Sequence, residues 1–226
     1  MIKPIIGIDL DGTLISEIPS KQAHTEWFAI MSSVLGDPAV QNYADLEGDY
    51  FPHVFKVMEQ YTGLQIKEHK ELLTHFARTL FQMSYIGQAF QMKDKLLYTP
   101  FATYLRKLKE KYTLALITTA PEDAVMPLLG MVDCLDLFSI VYKGPIGKKS
   151  DKTILLKQFI KEHGKPICYI GNEDGDVQAC LKTNVKSILV NWNNTELENV
   201  EPDYTVCNVE ELNGVISKLE GLNPPT

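Results

Sequence analysis

Five short apolar runs stand out along the chain, and they predict β-strands. They cover residues 4–8, 112–117, 138–142, 166–170 and 185–190. These runs are rich in β-branched residues and show little alternation with polar positions, which is typical of strands buried on both faces. Helical patterns lie between them, as at 100–111 and 152–163. Strands that alternate with helices predict an α/β fold, in which helices cover both faces of a parallel sheet.

A long stretch after the first strand breaks this rhythm. Between about residues 20 and 96 we find helical patterns at 24–35, 50–61 and 66–90. Chain breakers such as Gly36, Gly48 and Gly63 separate them, and no buried strand is evident. We therefore predict an inserted α-helical domain of residues 16–95. The core domain would then consist of residues 1–15 and 96–226.

The composition excludes several classes of function. Hydrophobic residues make up 45% of the 226 residues and charged residues 23%, as in ordinary globular proteins. The net charge of −7 offers no general basic face for nucleic acid. No apolar stretch reaches the roughly 18 residues that span a bilayer, and the apolar start is too short for a signal peptide. The four cysteines lack CxxC spacing. We expect a cytoplasmic protein with reduced thiols that binds neither nucleic acid nor membranes.

The clearest chemical signal follows the first strand, in Asp9-Leu10-Asp11-Gly12-Thr13. Residues two apart in a strand point to the same side, so Asp9 and Asp11 would direct two carboxylates into one space. At about 4 Å such charges repel by roughly 4 kcal/mol at an effective dielectric constant near 20. A hard cation such as Mg²⁺ or a shared proton would relieve this repulsion. The turn at Gly12 and Thr13 offers backbone N–H groups suited to an anion.

This segment resembles motif one of the haloacid dehalogenase-like superfamily, and the resemblance extends along most of the Rossmann-like portion of the chain. The resemblance implies that Asp9 is the nucleophile that forms an aspartyl-phosphate and that Asp11 is the general acid/base. The dehalogenases of the family lack the second acid, so its presence here favours phosphoryl chemistry. The inserted helices resemble the cap of phosphoglycolate phosphatase-like members.

Two further motifs of the family would bind the phosphoryl group. Thr118 ends an apolar strand, as the Ser or Thr of motif two does, and Thr119 follows where the family commonly has Asn. Motif three is a lysine near the start of a helix, and the segment Lys148-Lys149-Ser150-Asp151-Lys152 offers three candidates. Lys149 matches the family pattern best, and Lys152 is the alternative.

The fourth motif, usually an acidic pair, departs from the family pattern. It corresponds to Gly171-Asn172-Glu173-Asp174-Gly175-Asp176. This alignment places Asn172 where the family has a metal-binding Asp, and Asp176 at the second acidic position. The resemblance then implies a metal site formed by Asp9, Asp11, Asn172 and Asp176. Asn172 brings no charge, and Glu173 and Asp174 are the two candidates to supply the missing carboxylate.

Together these features predict a Mg²⁺-dependent phosphatase that acts on a small phosphorylated metabolite. Asp9, Asp11, Thr118 and Lys149 would be catalytic, while Gly12, Thr13 and Thr119 would bind substrate. Two alternatives remain open at this stage. A sugar phosphomutase of the β-phosphoglucomutase kind shares motif one, and a catalytically weak phosphometabolite-binding protein would be compatible with Asn172. The sequence does not determine the substrate or the oligomeric state.

Overall fold

A computed structural model describes residues 3–46, 51–143, 151–192 and 200–222. The strands within these ranges are β1 (Ile5–Ile8), β2 (Thr113–Thr118), β3 (Ile140–Lys143), β4 (Cys168–Gly171), β5 (Lys186–Val190) and β6 (Tyr204–Val206). They form one parallel sheet in the order β3-β2-β1-β4-β5-β6. The first strand of the chain therefore lies inside the sheet, between β2 and β4.

Nine α-helices lie in the described ranges. They are α1 (Ile18–Leu35), α2 (Phe51–Thr62), α3 (Ile66–Gln91), α4 (Lys93–Leu96), α5 (Thr99–Leu108), α6 (Glu122–Met131), α7 (Lys152–His163), α8 (Asp174–Thr183) and α9 (Val209–Leu222). A 3₁₀ helix, Pro38–Asp45, lies between α1 and α2. None of these helices is long and apolar enough to cross a membrane.

Helices cover both faces of the sheet because successive strand residues point to opposite sides. Ile6 and Ile8 of β1 pack in a cluster with residues of α5, α6 and α9. Ala115 and Ile117 of β2 instead pack in a cluster with residues of α7 and α8. The predicted fold, a Rossmann-like parallel sheet with helices on both faces, is confirmed.

The helices α1 to α3 occupy the long connection between β1 and β2. They have a cluster of their own, in which Trp27 and Phe28 of α1 pack with Met58 of α2 and Leu73 of α3. The C-terminal part of α3 packs against the core of the sheet, because Tyr85 and Ala89 belong to the large core cluster. The division into domains of residues 16–95 and of residues 1–15 with 96–226 stays a prediction.

Candidate active site

The polar residues of the four motifs meet at the carboxyl edge of the parallel sheet. Asp9 directly follows β1, Thr118 ends β2, and Asn172 directly follows β4. Because β1 lies between β2 and β4, these three ends are neighbours. All three side chains are buried. A crevice at the carboxyl ends of strands is the usual place for ligands in open α/β sheets.

Lys152, in the first turn of α7, forms the electrostatic centre of this edge. Its Nζ lies 2.6 Å from Asp9 Oδ1 and 3.0 Å from Asp176 Oδ1. Burial opposes the lysine's charge, but attraction from Asp176 and Asp9 raises the pKa of Lys152 well above its ordinary value. The lysine is therefore charged. For Asp9, burial is the largest influence and raises the pKa of its carboxyl to about 8, while Lys152 acts in the opposite direction.

A buried tyrosine fixes the position of this lysine. The Tyr169 hydroxyl accepts a hydrogen bond from Lys152 Nζ at 2.9 Å and donates one to the Ile117 carbonyl at 2.8 Å. Gly7 on the adjacent strand makes room for the tyrosine ring, since a Cβ at Gly7 would come within 2.7 Å of a ring carbon. Tyr169 thereby links Lys152 to the strand that ends in Thr118.

Asp11 is held by a residue of the inserted helices. The Tyr85 hydroxyl on α3 donates a hydrogen bond to Asp11 Oδ1. Burial raises the pKa of the Asp11 carboxyl to about 6, while the hydrogen bond from Tyr85 and the charge of Lys152 oppose this rise. A carboxyl that titrates near neutrality can both donate and accept a proton, as a general acid/base must.

The motif-one turn is closed by hydrogen bonds within the turn and by one from Trp192, which lies two residues after β5. The Gly12 N–H donates to the Ile15 carbonyl at 2.7 Å, and the Thr13 N–H donates to the Leu10 carbonyl at 3.4 Å. The Thr13 carbonyl also accepts a hydrogen bond from Trp192 Nε1 at 3.0 Å. Since both predicted anion donors have backbone partners here, substrate binding by the N–H groups of Gly12 and Thr13 stays a prediction.

Gly12 is required by its conformation and by its neighbour Asn172. Its φ is 71°, in the left-handed region that glycine adopts without strain. A Cβ there would lie 2.1 Å from Asn172 Nδ2. On its other side, Asn172 Oδ1 accepts a hydrogen bond from Thr13 Oγ1 at 3.1 Å. Motif one and motif four are therefore in direct contact.

The Asp176 carboxylate both caps the start of α8 and pairs with Lys152. Its Oδ2 accepts hydrogen bonds from the backbone N–H of Asn172 at 3.1 Å and of Glu173 at 3.2 Å. Gly171 permits this close fold, because a Cβ there would lie 2.4 Å from Asp176 Oδ2. Glu173 completes the capping box, in which its side chain accepts from the Asp176 N–H. Both acids thus have structural roles at the helix start.

Thr118 lies close to the same lysine as the acids. It is buried at the end of β2, and its Oγ1 accepts a hydrogen bond from the Ala120 N–H at 3.1 Å. Lys152 Nζ lies 3.5 Å from the carbonyl oxygen of Ile117, the residue that precedes Thr118. Thr119 follows as a half-buried residue. The Thr118 hydroxyl still has its proton to donate, which is what a phosphoryl oxygen requires.

The donors at this edge suit a Mg²⁺ ion that keeps several water molecules. Lys152 is the cation in contact with Asp9 and Asp176, and the half-buried Asp11 adds a third carboxyl. Within the described ranges, no group of three or more His, Cys, Asp or Glu residues is arranged to hold a metal. A bound Mg²⁺ would therefore need the Asn172 amide oxygen and water beside Asp9 and Asp11. Mg²⁺ commonly binds through one or two carboxylates and retains water, so the residues fit it.

Most residues of this cluster were predicted from the sequence, whereas Tyr85, Tyr169 and Trp192 were not. Asp9, Asp11, Gly12, Thr13, Thr118, Asn172 and Asp176 all lie at this edge of the sheet. Lys149 lies outside the described residues, whereas the alternative, Lys152, contacts Asp9. Trp192 lies two residues after the end of β5, so its position shortly after a strand was a signal that could have been used. Tyr85 and Tyr169 have no such signal in the sequence.

The comparisons with known proteins agree with this geometry. A family model described as haloacid dehalogenase-like hydrolase matches residues 6–190. The comparison with curated proteins gave no match. Among solved structures, a predicted phosphatase from Clostridium acetobutylicum has a TM-score of 0.67 and 20% identity, with 96% of this chain and 100% of that chain covered.

Two other solved structures were obtained with bound ions. The HAD-hydrolase YfnB from Bacillus subtilis, bound to magnesium and described as revealing interdomain movement, has a TM-score of 0.58 and 12% identity over 96% of this chain and 100% of that one. CbbY from Rhodobacter sphaeroides, in complex with phosphate, has a TM-score of 0.63 and 16% identity, with 93% of this chain and 96% of that chain covered. These likenesses establish the fold, and the family model covers most of the chain. The chain therefore belongs to the haloacid dehalogenase-like hydrolases.

Proposed function

We propose that this protein is a Mg²⁺-dependent phosphatase that hydrolyses a small phosphorylated metabolite through an aspartyl-phosphate on Asp9. The observation that carries the proposal is the ion pair between the buried Asp9 carboxylate and Lys152 at the end of the central strand. Asp11, a candidate acid/base, follows two residues later and has a pKa near neutrality. A nucleophile, a fixed cation and an acid/base are the groups that phosphoryl transfer through a covalent intermediate needs.

The residues would act in two steps. Asp9 attacks phosphorus, and Asp11 gives its proton to the departing oxygen of the substrate. Asp11 then takes a proton from the water that attacks the aspartyl-phosphate, which releases inorganic phosphate and restores Asp9. Throughout, Lys152 and the Thr118 hydroxyl hold the nonbridging oxygens of the phosphoryl group.

Asp9, Asp11 and Asn172 are the residues that would hold the metal, and Asp176 would instead keep Lys152 in place. When bound, Mg²⁺ would offset negative charge on the phosphoryl group and on Asp9. A structural relative that was solved with bound magnesium supports a metal-dependent reaction.

The helices of residues 16–95 would act as a cap that excludes bulk water and selects the substrate. The contact between Tyr85 on α3 and Asp11 supports this role, because it places an inserted helix over the acid/base. We expect a cap of this kind to suit small molecules better than large protein substrates. Rigid-body movement of the cap is the motion we expect for an insertion joined by two chain segments.

A direct assay tests the proposed activity. Purified protein should hydrolyse p-nitrophenyl phosphate in the presence of Mg²⁺ and lose this activity when EDTA removes the metal. A panel of phosphoglycolate, nucleotides and sugar phosphates would then identify the substrate class. A folded protein that binds phosphate but turns over no member of the panel would support the alternative of a weak phosphometabolite-binding protein, which Asn172 keeps open.

Asn172→Asp should lower the Mg²⁺ concentration that gives half-maximal activity. The change adds a negative charge to a site with few carboxylates, and Mg²⁺ sites depend on carboxylate ligands. A carboxylate can also accept the hydrogen bond that Thr13 donates to Asn172. Mg²⁺ titrations of activity, together with calorimetry of Mg²⁺ binding without substrate, would measure the effect.

Glu173→Gln is the matched control for this titration. If Glu173 only caps α8, its amide variant keeps the wild-type Mg²⁺ requirement. An unchanged titration in Asn172→Asp combined with a large loss in Glu173→Gln would show that Glu173, and not residue 172, supplies the metal ligand.

Tyr85→Phe should move the alkaline limb of the pH–activity profile to higher pH. Loss of the Tyr85 hydrogen bond removes a group that stabilises the Asp11 carboxylate, so the pKa of Asp11 rises above its wild-type value of about 6. The acid that protonates the leaving group then persists to higher pH. A hydrogen bond to a charged group contributes about 1.5–3 kcal/mol, so a shift of roughly one pH unit or more is expected.

Profiles of kcat/KM for an alkyl phosphate would measure this shift. The same profiles with p-nitrophenyl phosphate are the control, because p-nitrophenolate departs with little help from an acid and its limb should move less. An alkyl phosphate profile with an unchanged limb would contradict the role given to the contact between Tyr85 and Asp11.

A further inference from the structure

Four oxygen atoms surround the Lys152 ammonium, although a lysine has only three N–H donors. Nζ lies 2.6 Å from Asp9 Oδ1, 2.9 Å from the Tyr169 hydroxyl oxygen and 3.0 Å from Asp176 Oδ1. The Ile117 carbonyl oxygen lies farther away, at 3.5 Å. The ammonium therefore has more acceptors than donors, and it gains a phosphoryl oxygen as a partner only when one of these contacts is given up.

If Asp9 is the nucleophile, as the proposed function has it, Asp9 is the partner that gives up this contact. Its carboxylate carries negative charge before the reaction, and the new bond to phosphorus removes that charge from its oxygens. The negative charge then lies on the nonbridging oxygens of the phosphoryl group. The N–H that points to Asp9 is therefore attracted to a phosphoryl oxygen as the covalent bond forms.

This exchange of partners requires that the lysine nitrogen stays in place. Two of its contacts are with groups that do not react, Asp176 and the Tyr169 hydroxyl. Asp176 is itself fixed, because its Oδ2 accepts hydrogen bonds from the N–H groups of Asn172 and Glu173. One contact restrains the distance of the nitrogen from a single atom, so a second contact from another element is needed to hold its position. Tyr169 on β4 supplies that second contact.

The tyrosine reaches the lysine because its neighbour on the central strand has no side chain. Tyr169 of β4 is paired with Gly7 of β1, and Gly7 is paired with Ala115 of β2. A Cβ at Gly7 would lie 2.7 Å from a carbon of the tyrosine ring. The ring therefore extends across β1, and its hydroxyl donates a hydrogen bond to the Ile117 carbonyl on β2 at 2.8 Å.

Burial makes the contact between the tyrosine and the lysine hard to replace. Tyr169 is 1% exposed and the Lys152 side chain is 11% exposed, so bulk water is not at hand to accept the hydrogen bond instead. The proton of the Tyr169 hydroxyl is directed to the Ile117 carbonyl. Its oxygen therefore presents a lone pair to Lys152, which is what an ammonium requires of a partner.

We propose that Tyr169 is a positioning residue for phosphoryl transfer. Together with Asp176, it holds the Lys152 nitrogen in place while one N–H passes from Asp9 to the phosphoryl group. This inference rests on the proposed function, because it gives Tyr169 a part in the transfer to Asp9. Tyr169 acts only through Lys152, so its effect on the reaction should vanish when the lysine is absent.

First-turnover kinetics of Tyr169→Phe test the proposal. The variant keeps the ring that packs in the core and loses only the hydroxyl. Lys152 then has an unused N–H and the Ile117 carbonyl has lost a donor, so the two can pair if the nitrogen moves by roughly half an ångström. The rate of p-nitrophenol release in the first turnover should fall at least about tenfold, because a small displacement of an aligned group strongly lowers the rate.

Ground-state binding should change much less than this rate. Lys152 keeps its contacts with Asp9 and Asp176 in the free variant, so the loss is confined to the exchange of partners. Calorimetric titration with inorganic phosphate, with Mg²⁺ present, should therefore give a Kd within about threefold of the wild-type value. KM for p-nitrophenyl phosphate should also stay close to that of the wild type. A merely structural role would lower stability and leave the first-turnover rate unchanged.

Two further variants show whether the effect passes through the lysine. Added to Lys152→Met, Tyr169→Phe should cause no further loss of rate, because the group that it positions is already gone. Tyr142→Phe is the matched control, since Tyr142 packs against Phe159 of α7 and its hydroxyl contacts Glu162. This control should keep the wild-type rate. Chemical denaturation would verify that each variant is folded.

The outcomes separate this inference from the function on which it rests. An active wild-type protein with a Tyr169→Phe variant at the wild-type first-turnover rate would overturn the positioning role and leave the proposed function standing. A loss of the same size in the Lys152→Met background would overturn it too, because Tyr169 would then act without the lysine. A wild-type protein that hydrolyses no member of the substrate panel would overturn both. A slower first turnover, with unchanged phosphate affinity and no effect in the Lys152→Met background, is the expected result.

Discussion

Asp9→Asn should lower turnover at least about 1,000-fold while the protein keeps its fold. An amide cannot form the aspartyl-phosphate, so the covalent route is lost. The substitution is nearly isosteric, and it removes a buried carboxyl that is repelled by Asp176 and Asp11. Lys152 keeps Asp176 as its partner. Steady-state kinetics and chemical denaturation would measure the two effects separately.

Asp136→Asn is a matched control on the surface, where this aspartate pairs with Arg106 and Lys109. It should leave turnover near the wild-type value. Wild-type turnover in a folded Asp9→Asn protein would mean that another residue is the nucleophile. The mechanism proposed for this site would then be wrong.

Lys152→Met should damage both catalysis and stability. Removal of one partner from a buried ion pair typically costs about 3–5 kcal/mol, because the other charge is left without compensation. Here two carboxylates, Asp9 and Asp176, lose the same cation. Turnover should fall at least about 100-fold, since the lysine also holds the phosphoryl group.

The pH dependence of this destabilisation has a definite sign. Without the lysine charge, the pKa of Asp9 in the folded protein, which burial already raises, rises further above its value in the unfolded chain. A raised folded-state pKa favours folding at low pH and loses this contribution as the pH rises. The deficit of Lys152→Met should therefore shrink on acidification, which urea denaturation near pH 5 and pH 7 would measure.

Lys149→Met separates the two candidates for the motif-three lysine. If Lys152 has this role, the loss of Lys149 leaves both turnover and the free energy of unfolding close to wild type. A large loss of turnover in Lys149→Met, with Lys152→Met still active, would reverse the assignment.

The fold could be predicted from the sequence because its strands are buried on both faces. Such strands appear as uninterrupted apolar runs, and the five predicted runs correspond to β1 to β5 within one or two residues. The edge strand β6 was missed because it has three residues, of which Thr205 is exposed. Helix α1 begins at Ile18, before the predicted residue 24, since Pro19 is tolerated in a first helical turn.

The site could be predicted where its chemistry is local in sequence. Asp9 and Asp11 lie two residues apart after a strand, so their proximity follows from strand geometry. Lys152 could not be distinguished from Lys149 by sequence alone. The two lysines are three residues apart, and only the tertiary structure shows that Lys152 reaches Asp9. Tyr85 depends on how an inserted helix packs over the sheet, which no local pattern records.

Tyr169 and Trp192 were hidden for a different reason. Each reads as an apolar core residue, and most of its surface does pack in the core. Their polar atoms serve the site, since the Tyr169 hydroxyl contacts Lys152 and Trp192 Nε1 donates to the Thr13 carbonyl. Only the tertiary structure shows where the polar atom of a buried aromatic residue points.

The most direct test of the account is to look for the phosphoryl group on Asp9. Protein mixed with substrate and quenched in acid within one turnover would be digested and analysed by mass spectrometry. We predict a phosphoryl group on the peptide that contains Asp9, and its disappearance as the substrate is exhausted. Turnover without any phosphorylated peptide, or with the phosphoryl group on another residue, would contradict the role of Asp9 as the nucleophile.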